Sequence, residues 1–306
     1  MNVYHPKKQK IDRILGPNIL PAIIIWLLLV GDGRNIIRYP LGYTHLVILK
    51  IWNAVSFPLF LALTSFVVGL IGFTVGGGFG TILAPILMIY GFNPKNAIVM
   101  VLISQFAGEI AAVFLHHRFR NANFGFNSHE IRHGIILGVC GLSGILGAFI
   151  AIAVNNRILI LYNVVILITL GSLVTFIRMP NSERNISLRK ASIIGAIASL
   201  NKGLTGGNYG PTILAGSIAM GANIKKTVAT ISLAEAIACS FAIIGYVYGG
   251  IKIDLLSILV ITIGTIFSVF PSVYMVKKLS TGSLKKFIGI TMISLGILLF
   301  FKSMCI

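Results

Sequence analysis

The chain has 306 residues, of which 56% are hydrophobic and only 10% are charged, and its mean hydropathy is +0.94. A composition this apolar excludes a water-soluble globular domain and predicts an all-α polytopic membrane protein, with the lipid bilayer as a partner. The formal net charge of +18 does not predict a nucleic-acid partner, because the Lys and Arg residues fall between apolar runs, where membrane proteins carry their basic loops.

The N-terminal part, residues 1–53, is predicted to be a tail, an extra first span and a loop. Residues 1–13 are polar and basic, and the first apolar run extends from Ile14 to Val30. No small-residue cleavage site follows this run, so we interpret it as an uncleaved span with the N-terminus in the cytoplasm. Residues 31–53 are predicted to be a mixed loop with room for a short interfacial helix.

The remainder of the chain contains an internal repeat. A shift of 130 residues places the glycines at 76, 77, 80 and 91 on those at 206, 207, 210 and 221. We therefore predict two transport repeats, residues 54–178 and 179–306. Their apolar segments lie at 54–75, 79–91, 95–117, 131–154 and 157–177, and then at 190–204, 210–221, 225–249, 254–276 and 284–303.

The second segment of each repeat is too short to span a bilayer. At about 1.5 Å per residue, segments 79–91 and 210–221 reach only about 20 Å, against about 30 Å of hydrocarbon. A short apolar helix after a glycine cluster is typical of a half-helix in a re-entrant hairpin. Each repeat is thus predicted to contain one glycine-broken hairpin and three spanning helices.

The distribution of basic residues predicts how the repeats are oriented. With the N-terminus in the cytoplasm and each hairpin counted as re-entrant, 17 of the 25 Lys and Arg residues lie on the cytoplasmic side and seven on the outer side. This bias is typical of a multi-pass protein of the plasma (cell) membrane. The same topology makes the hairpins enter from opposite sides, so the repeats are predicted to have inverted topology, as in many secondary transporters.

The glycine pattern of the first repeat is also a family signature. The residues that carry it are Gly72, Gly76, Gly77, Gly78, Gly80, Pro85, Gly91, Pro94 and Ala97. They resemble the sulfite exporter TauE/SafE family, also called the 4-toluene sulfonate uptake permeases, from about residue 54 to the end, with the region of His116, Arg118 and Asn123 included. The resemblance implies a transporter of sulfur oxyanions, small organic sulfonates or sulfur-containing organic acids. The second repeat departs from the pattern at Lys202, Asn208, Pro211 and Ala215, which affects the substrate more than the fold.

The two glycine breaks predict a site for a small anionic substrate. Helices that begin near Phe79 and Tyr209 in mid-membrane would aim unpaired N–H groups and partial positive charge at one point, with hydroxyl and amide groups beside them. The alternative is that the glycines only allow close helix packing. The predicted substrate-binding residues are Thr74, Gly76, Gly77, Gly78, Phe79, Gly80, Thr81, Lys202, Thr205, Gly206, Gly207, Asn208, Tyr209, Gly210 and Thr212.

Two carboxylates lie near the middle of apolar segments, Glu109 in the first repeat and Glu235 in the second. A charge at the bilayer centre costs about 2.5–3.5 kcal/mol on insertion scales, so each needs a partner, a cavity or a proton. We predict that Gln105, Glu109 and Glu235 couple anion movement to protons. The alternative is a structural Lys202–Glu235 ion pair, with Glu109 hydrogen-bonded to a neighbour.

Other functional classes are disfavoured by the sequence. Residues 141–144 fit the GxSG pattern of intramembrane serine proteases, but all six histidines precede Ser143, so we expect no enzyme. We also expect no metal and no cofactor, because the histidines sit in a basic loop and no GK[ST] phosphate loop is present. A passive anion channel built from the same hairpins is the remaining alternative. The sequence has no signal for the oligomeric state or for the particular anion.

Overall fold

The computed structural model of the chain describes residues 43–76, 78–121, 124, 129–176, 188–219, 224–278 and 281–304. The predicted first span, Ile14 to Val30, and the orientation of the N-terminus lie outside the described residues. So do Gly77, one of the predicted substrate-binding residues, and Asn123.

The described residues form helices and no strands, which confirms the all-α prediction. The helices are α1 Tyr43–Val75, α2 Phe79–Ile89, α3 Pro94–Arg118, α4 His129–Val139, α5 Leu142–Ala153, α6 Asn156–Phe176, α7 Leu188–Thr205, α8 Tyr209–Ala219, α9 Ile224–Tyr248, α10 Leu255–Lys278 and α11 Thr281–Met304. The chain divides into two compact units within α1. The first ends at Phe60, and the second, residues 61–306, contains helices α2 to α11.

Six helical segments in the described part of the chain are long and apolar enough to cross a membrane. They are Phe57–Thr74, Pro94–Arg118, Ile131–Ala153, Asn156–Phe176, Thr227–Tyr248 and Leu255–Val276. Large apolar side chains such as Phe114 and Phe267 remain exposed on these helices, as expected where lipid replaces water. The chain is therefore a multi-pass membrane protein.

Two helix boundaries differ from the prediction. Helix α1 begins at Tyr43 rather than near residue 54, because Thr44, His45 and Lys50 lower the hydropathy without interrupting helical hydrogen bonds. The segment predicted as one helix at 131–154 is interrupted between α4 and α5. There the N–H of Gly141 donates to the carbonyl of Gly138 at 2.7 Å, three residues back rather than four.

The helix boundaries repeat with the period of the glycine pattern. A shift of 130 residues places both ends of α2 and α3 on both ends of α8 and α9, and the last residue of α1 on the last residue of α7. Positive φ angles recur with the same shift, at Gly76 and Gly206 and again at Arg120 and Gly250. The backbone therefore follows a similar local path at these helix ends, although it differs between Gly78 and Asn208.

Helices α3 and α9 pack against each other. Helix α10 packs on α3, whereas α4 and α5 pack on α9. Helix α6 pairs with α11, and the short helices α2 and α8 pack against α11 and α6, respectively. Helix α5 also packs on α7. A small residue permits this close packing, since a Cβ on Gly147 of α5 would collide with the carbonyl oxygen of Leu200 on α7. The fold thereby brings both glycine breaks against α3 and α9.

Candidate functional site

Each glycine break joins a long helix to a short one through a left-handed residue. Gly76 follows α1 with a φ of +82°, and Gly206 follows α7 with a φ of +75°. A residue with a Cβ is disfavoured in this conformation, which explains the glycine at both positions. The N–H of Gly206 donates to the carbonyl of Lys202 at 2.8 Å and closes the last turn of α7.

The N-terminal ends of α2 and α8 meet. A Cβ on Gly80 would collide with the carbonyl oxygen of Gly206, and a Cβ on Gly207 would collide with the backbone of Gly80 and Thr81. The N–H of Asn208 donates to the Thr81 hydroxyl oxygen at 2.7 Å. We call this meeting of residues 80–81 with residues 206–208 the crossing. Glycine is required here because backbone lies directly against backbone.

Asn208 has an unusual conformation at the crossing. Its φ is +65°, a left-handed value that asparagine tolerates better than most residues, whereas Gly78 at the equivalent position of the first repeat has a φ of −79°. The Asn208 side-chain amide donates to the Thr205 hydroxyl oxygen at 3.1 Å. The side-chain carbonyl oxygen of Asn208 is buried and has no hydrogen-bond partner among the described residues.

Most of the predicted hydroxyl ligands donate to nearby backbone instead of to an open site. The hydroxyls of Thr74, Thr205 and Thr212 donate to the carbonyls of Leu70, Asn201 and Asn208, at 2.5, 2.7 and 2.6 Å. Such bonds to the preceding helical turn are common for threonine. In its bond with Asn208, Thr81 is the acceptor, so its hydroxyl hydrogen is not used there.

The aromatic residues that begin α2 and α8 have different partners. The ring of Phe79 stacks on Phe73 with centroids 5.4 Å apart. The hydroxyl of Tyr209 donates to the carbonyl of Leu137 on α4 at 3.1 Å. Both side chains are fully buried. Their contact with a substrate therefore stays a prediction, whereas their packing partners are given by the structure.

A cluster of four buried polar side chains, Gln105, Glu109, Lys202 and Glu235, lies beside the crossing. The Lys202 ammonium donates to a Glu235 carboxylate oxygen at 2.7 Å and to the side-chain carbonyl of Gln105. The Gln105 amide donates to Glu109 at 3.3 Å. All four side chains are fully buried, and a Cβ on Gly80 would reach the Gln105 oxygen at 2.6 Å.

This polar cluster joins three helices, since α3 supplies Gln105 and Glu109, α7 supplies Lys202, and α9 supplies Glu235. The ion pair that the sequence left open is thus present, and Glu109 is hydrogen-bonded to a neighbour. The second carboxylate oxygens of Glu109 and Glu235 are buried and lack a partner of good geometry in the described part of the chain. A buried carboxylate oxygen without a donor is costly, so the cluster has unmet hydrogen-bonding capacity.

Sequence reasoning missed one neighbour of the polar cluster, Ser232, which lies next to the Glu109 carboxyl. Ser232 is one helical turn before Glu235 on α9, so the helical period alone could have placed it on the same face. The Cys239 thiol, one turn after Glu235 on that face, lies next to Lys202. Within the described residues, no three His, Cys, Asp or Glu side chains come together in a metal-binding arrangement.

A bundle of spanning helices with a buried ionised cluster, placed where two interrupted helices meet, defines a multi-pass membrane protein of the transporter class. The chain belongs to the sulfite exporter TauE/SafE family, whose family model matches residues 61–299. This match confirms the resemblance carried by the glycine pattern. Among curated proteins, none matches the chain.

Proposed function

We propose that the protein is a proton-coupled secondary transporter of a small sulfur-containing anion, such as sulfite, an organosulfonate or a related oxyanion. The observation that carries the proposal is the Lys202–Glu235 ion pair beside the crossing of α2 and α8. Family membership supports anion export or uptake as the activity. The arrangement of charges supports the coupling.

The crossing supplies donors for an oxyanion. The first N–H groups of a helix lack intrahelical acceptors and carry partial positive charge, which is why anions bind at helix N-termini. Two such ends meet here, and Lys202 lies in the last turn of α7, the helix that precedes the second of them. The N–H groups of Gly206, Gly207 and Asn208 already donate within the protein, so the donors for an oxyanion are the N–H groups that follow at the start of the short helices.

In the described arrangement Lys202 is neutralised by Glu235, so it is not available to an anion. A proton on Glu235 removes the carboxylate charge and frees the ammonium for the substrate. Anion and proton then enter together, because the anion replaces the negative charge that the proton removed. Glu109 belongs to the same buried cluster, because the Gln105 side chain links it to the Lys202–Glu235 pair.

The repeated helix boundaries support two inverted repeats with re-entrant hairpins, since inverted repeats place equivalent broken helices on opposite sides of a midplane site. We infer a plasma-membrane location and a cytoplasmic N-terminus from the bias of Lys and Arg residues toward one side of the predicted topology. Alternating access then follows from rocking one set of helices against the other around the crossing.

The proposal is tested in proteoliposomes by currents on a solid-supported membrane. Sulfite, thiosulfate, sulfate, sulfoacetate and a small carboxylate are applied with and without an imposed pH gradient. We expect saturable currents for at least one sulfur anion that grow when the gradient drives protons in the direction of the anion. Conductance insensitive to the gradient would contradict coupling and favour a passive anion pore, and movement of the carboxylate alone would contradict the substrate class.

A further inference from the structure

The side chain of Asn208 leaves one buried acceptor unused at the crossing. Asn208 is only 1% exposed, and its side-chain carbonyl oxygen has no hydrogen-bond partner among the described residues. A buried acceptor is destabilising unless a donor reaches it. A ligand that brings its own donor to this oxygen would therefore be stabilised there.

The bonds around Asn208 decide which end of its amide is free. The single hydrogen of the Thr205 hydroxyl is used by backbone carbonyls, that of Asn201 at 2.7 Å and that of Gly207 at 3.1 Å. The Thr205 oxygen can therefore only accept from Asn208, whose amide nitrogen lies 3.1 Å away. The backbone N–H of Asn208 is held by Thr81 at 2.7 Å. The carbonyl oxygen is thus the end of the side chain that is left without a partner.

Asn208 does not cap the helix that it precedes. It lies directly before Tyr209, the first residue of α8. An asparagine at this position commonly has an extended backbone and accepts from the N–H groups of the first turn. Asn208 has a φ of +65° instead, and its side-chain oxygen accepts from none of the described residues. The start of α8 therefore places N–H donors and an unused acceptor side by side.

The second break has more acceptors and fewer donors than the first. The shift of 130 residues places Asn208 on Gly78 and Pro211 on Thr81. The asparagine adds a side-chain acceptor, and the proline removes one N–H from the first turn of α8, because proline has none. Both differences favour a ligand that donates a hydrogen bond as well as accepting hydrogen bonds.

We propose that Asn208 determines the specificity of the anion site, and that its side-chain oxygen accepts a hydrogen bond from the transported anion. The inference rests on the proposed function, since it takes the crossing as the anion site. It narrows the substrate class to anions that carry their own O–H or N–H group. The singly protonated form of sulfite and sulfonates with a hydroxyl or amino group next to the sulfonate belong to this class.

The burial of Asn208 gives the discrimination its strength. A buried group that hydrogen-bonds a substrate O–H or N–H rejects an analogue without that hydrogen, because the group is then left unpaired. A fully deprotonated oxyanion would place an acceptor against an acceptor. In the described arrangement the oxygen is enclosed, so the anion reaches it in a conformation of alternating access in which α2 and α8 have separated.

The test uses two anions that differ in one group. Sulfamate and methanesulfonate each carry one negative charge and three sulfonate oxygens, but sulfamate has an NH2 group where methanesulfonate has a methyl group. Their affinities for the purified wild-type protein in detergent are measured by isothermal titration calorimetry at one pH, so that Glu235 starts from the same state. We expect wild type to bind sulfamate at least about tenfold more tightly.

Asn208→Gly removes the acceptor and keeps the backbone, because glycine adopts a positive φ readily. The ratio of the two affinities should fall to within about twofold of one, through weaker binding of sulfamate. Asn163→Ala is the matched control, since Asn163 is a buried asparagine whose amide donates to the carbonyl of Leu159 in its own helix, α6, at 3.1 Å. This variant should keep the ratio within about twofold of that of wild type.

Equal affinity of wild type for the two anions would overturn the role of Asn208 and leave the proposed function intact. A wild-type ratio in Asn208→Gly would do the same, because the discrimination would then come from another group. If Asn208→Gly does not fold, hydroxymethanesulfonate against ethanesulfonate on wild type is the second pair, and a preference of less than about twofold for the hydroxyl would overturn the inference. Failure of wild type to bind sulfite or either probe would instead contradict the anion site of the proposed function.

Discussion

The two glycine breaks lie between equivalent helices and differ in chemistry. At the first break, Gly72 lies so close to α2 that a Cβ would collide with the backbone nitrogen of Phe79, and the Phe73 ring stacks on Phe79. At the second, the position equivalent to Gly72 is Lys202, which carries the ion pair with Glu235. The first break is closed by apolar packing, whereas the second carries the charge.

The difference indicates a division of labour. Gly80 of the first break and Gly206 and Gly207 of the second hold the two backbones in the crossing, which requires close approach on either side. Charge is confined to one side, since a lysine at position 72 would have no space beside Phe79. A single cation gives the crossing one switchable group, and its state depends on the carboxylates of α3 and α9. Substitutions at the crossing and in the polar cluster are therefore expected to lower transport and stability to different degrees.

The largest effect is expected from Lys202→Met. Removing one partner of a buried ion pair leaves an uncompensated carboxylate, which costs roughly 3–5 kcal/mol, and removes the anion-attracting charge. We expect transport to be lost and the protein to melt at lower temperature in detergent. The double variant Lys202→Met/Glu235→Gln should regain stability without regaining transport. Transport by the double variant would show that the cation is not required.

Glu235→Gln is expected to have the second-largest effect. The glutamine keeps an oxygen that accepts from Lys202 but cannot exchange a proton, so flux should fall at least about tenfold and lose its dependence on the pH gradient. Glu109→Gln should also lower the flux, because Gln105 links Glu109 to the Lys202–Glu235 pair. Flux of both variants is measured across a pH series, with folding checked by size-exclusion chromatography. Gradient dependence like that of wild type in both variants would sink the proton-carrier role.

Gly80→Ala should abolish the close contact of the two breaks. Its Cβ would meet the carbonyl oxygen of Gly206, which is rigid backbone, so transport should fall by more than about tenfold and stability by roughly 1–3 kcal/mol. Gly78→Ala is the matched control, since a Cβ there meets its nearest atom at 3.5 Å. Anion binding is measured by thermal shift for Gly80→Ala and Gly78→Ala. Equal binding by the two variants would mean that the crossing is not the site.

Thr81→Val is expected to have a moderate effect. It removes the acceptor of the Asn208 N–H, and a buried N–H without a partner costs about 1–3 kcal/mol. Thr169→Val removes an exposed threonine hydroxyl that bonds only within its own helix, and should change stability by less than about 0.5 kcal/mol. Thermal unfolding of both variants is the measurement. A loss no greater for Thr81 than for Thr169 would contradict the role of the Thr81–Asn208 bond.

The smallest effect is expected for Ser143→Ala. The Ser143 hydroxyl donates to the carbonyls of Cys140 and Ala196, at 3.0 and 2.6 Å, which is a packing role. Its loss should cost about 1 kcal/mol and leave flux within about twofold of wild type. Loss of all activity with folding intact would revive the intramembrane hydrolase interpretation.

The local features of the fold could be predicted because they are written in single stretches of sequence. Glycine clusters and short apolar runs placed α2 and α8 correctly, and the need of buried charges for partners brought Lys202 and Glu235 together as one of two interpretations. The repeat period followed from glycine spacing alone. These signals depend on residues near one another or on charge, which apolar surroundings make conspicuous.

The remaining features depend on neighbours that a sequence does not order. The break at Gly141 follows from close packing against Ala238 on α9, and the direction of Tyr209 follows from the carbonyl that this break frees. Threonine hydroxyls were assigned to a substrate, although the preceding turn of helix competes for them. Such choices between local and distant partners need the tertiary structure.

The central claim is that a proton on Glu235 frees Lys202 for the anion. The most direct measurement is proton uptake during anion binding, followed with a pH indicator in weakly buffered detergent solution. The anion is the one that gives the largest current in the liposome screen. For wild type we expect about one proton taken up per anion bound, and for Glu235→Gln close to none. Anion binding by wild type without proton uptake, or equal uptake in the variant, would contradict the claim.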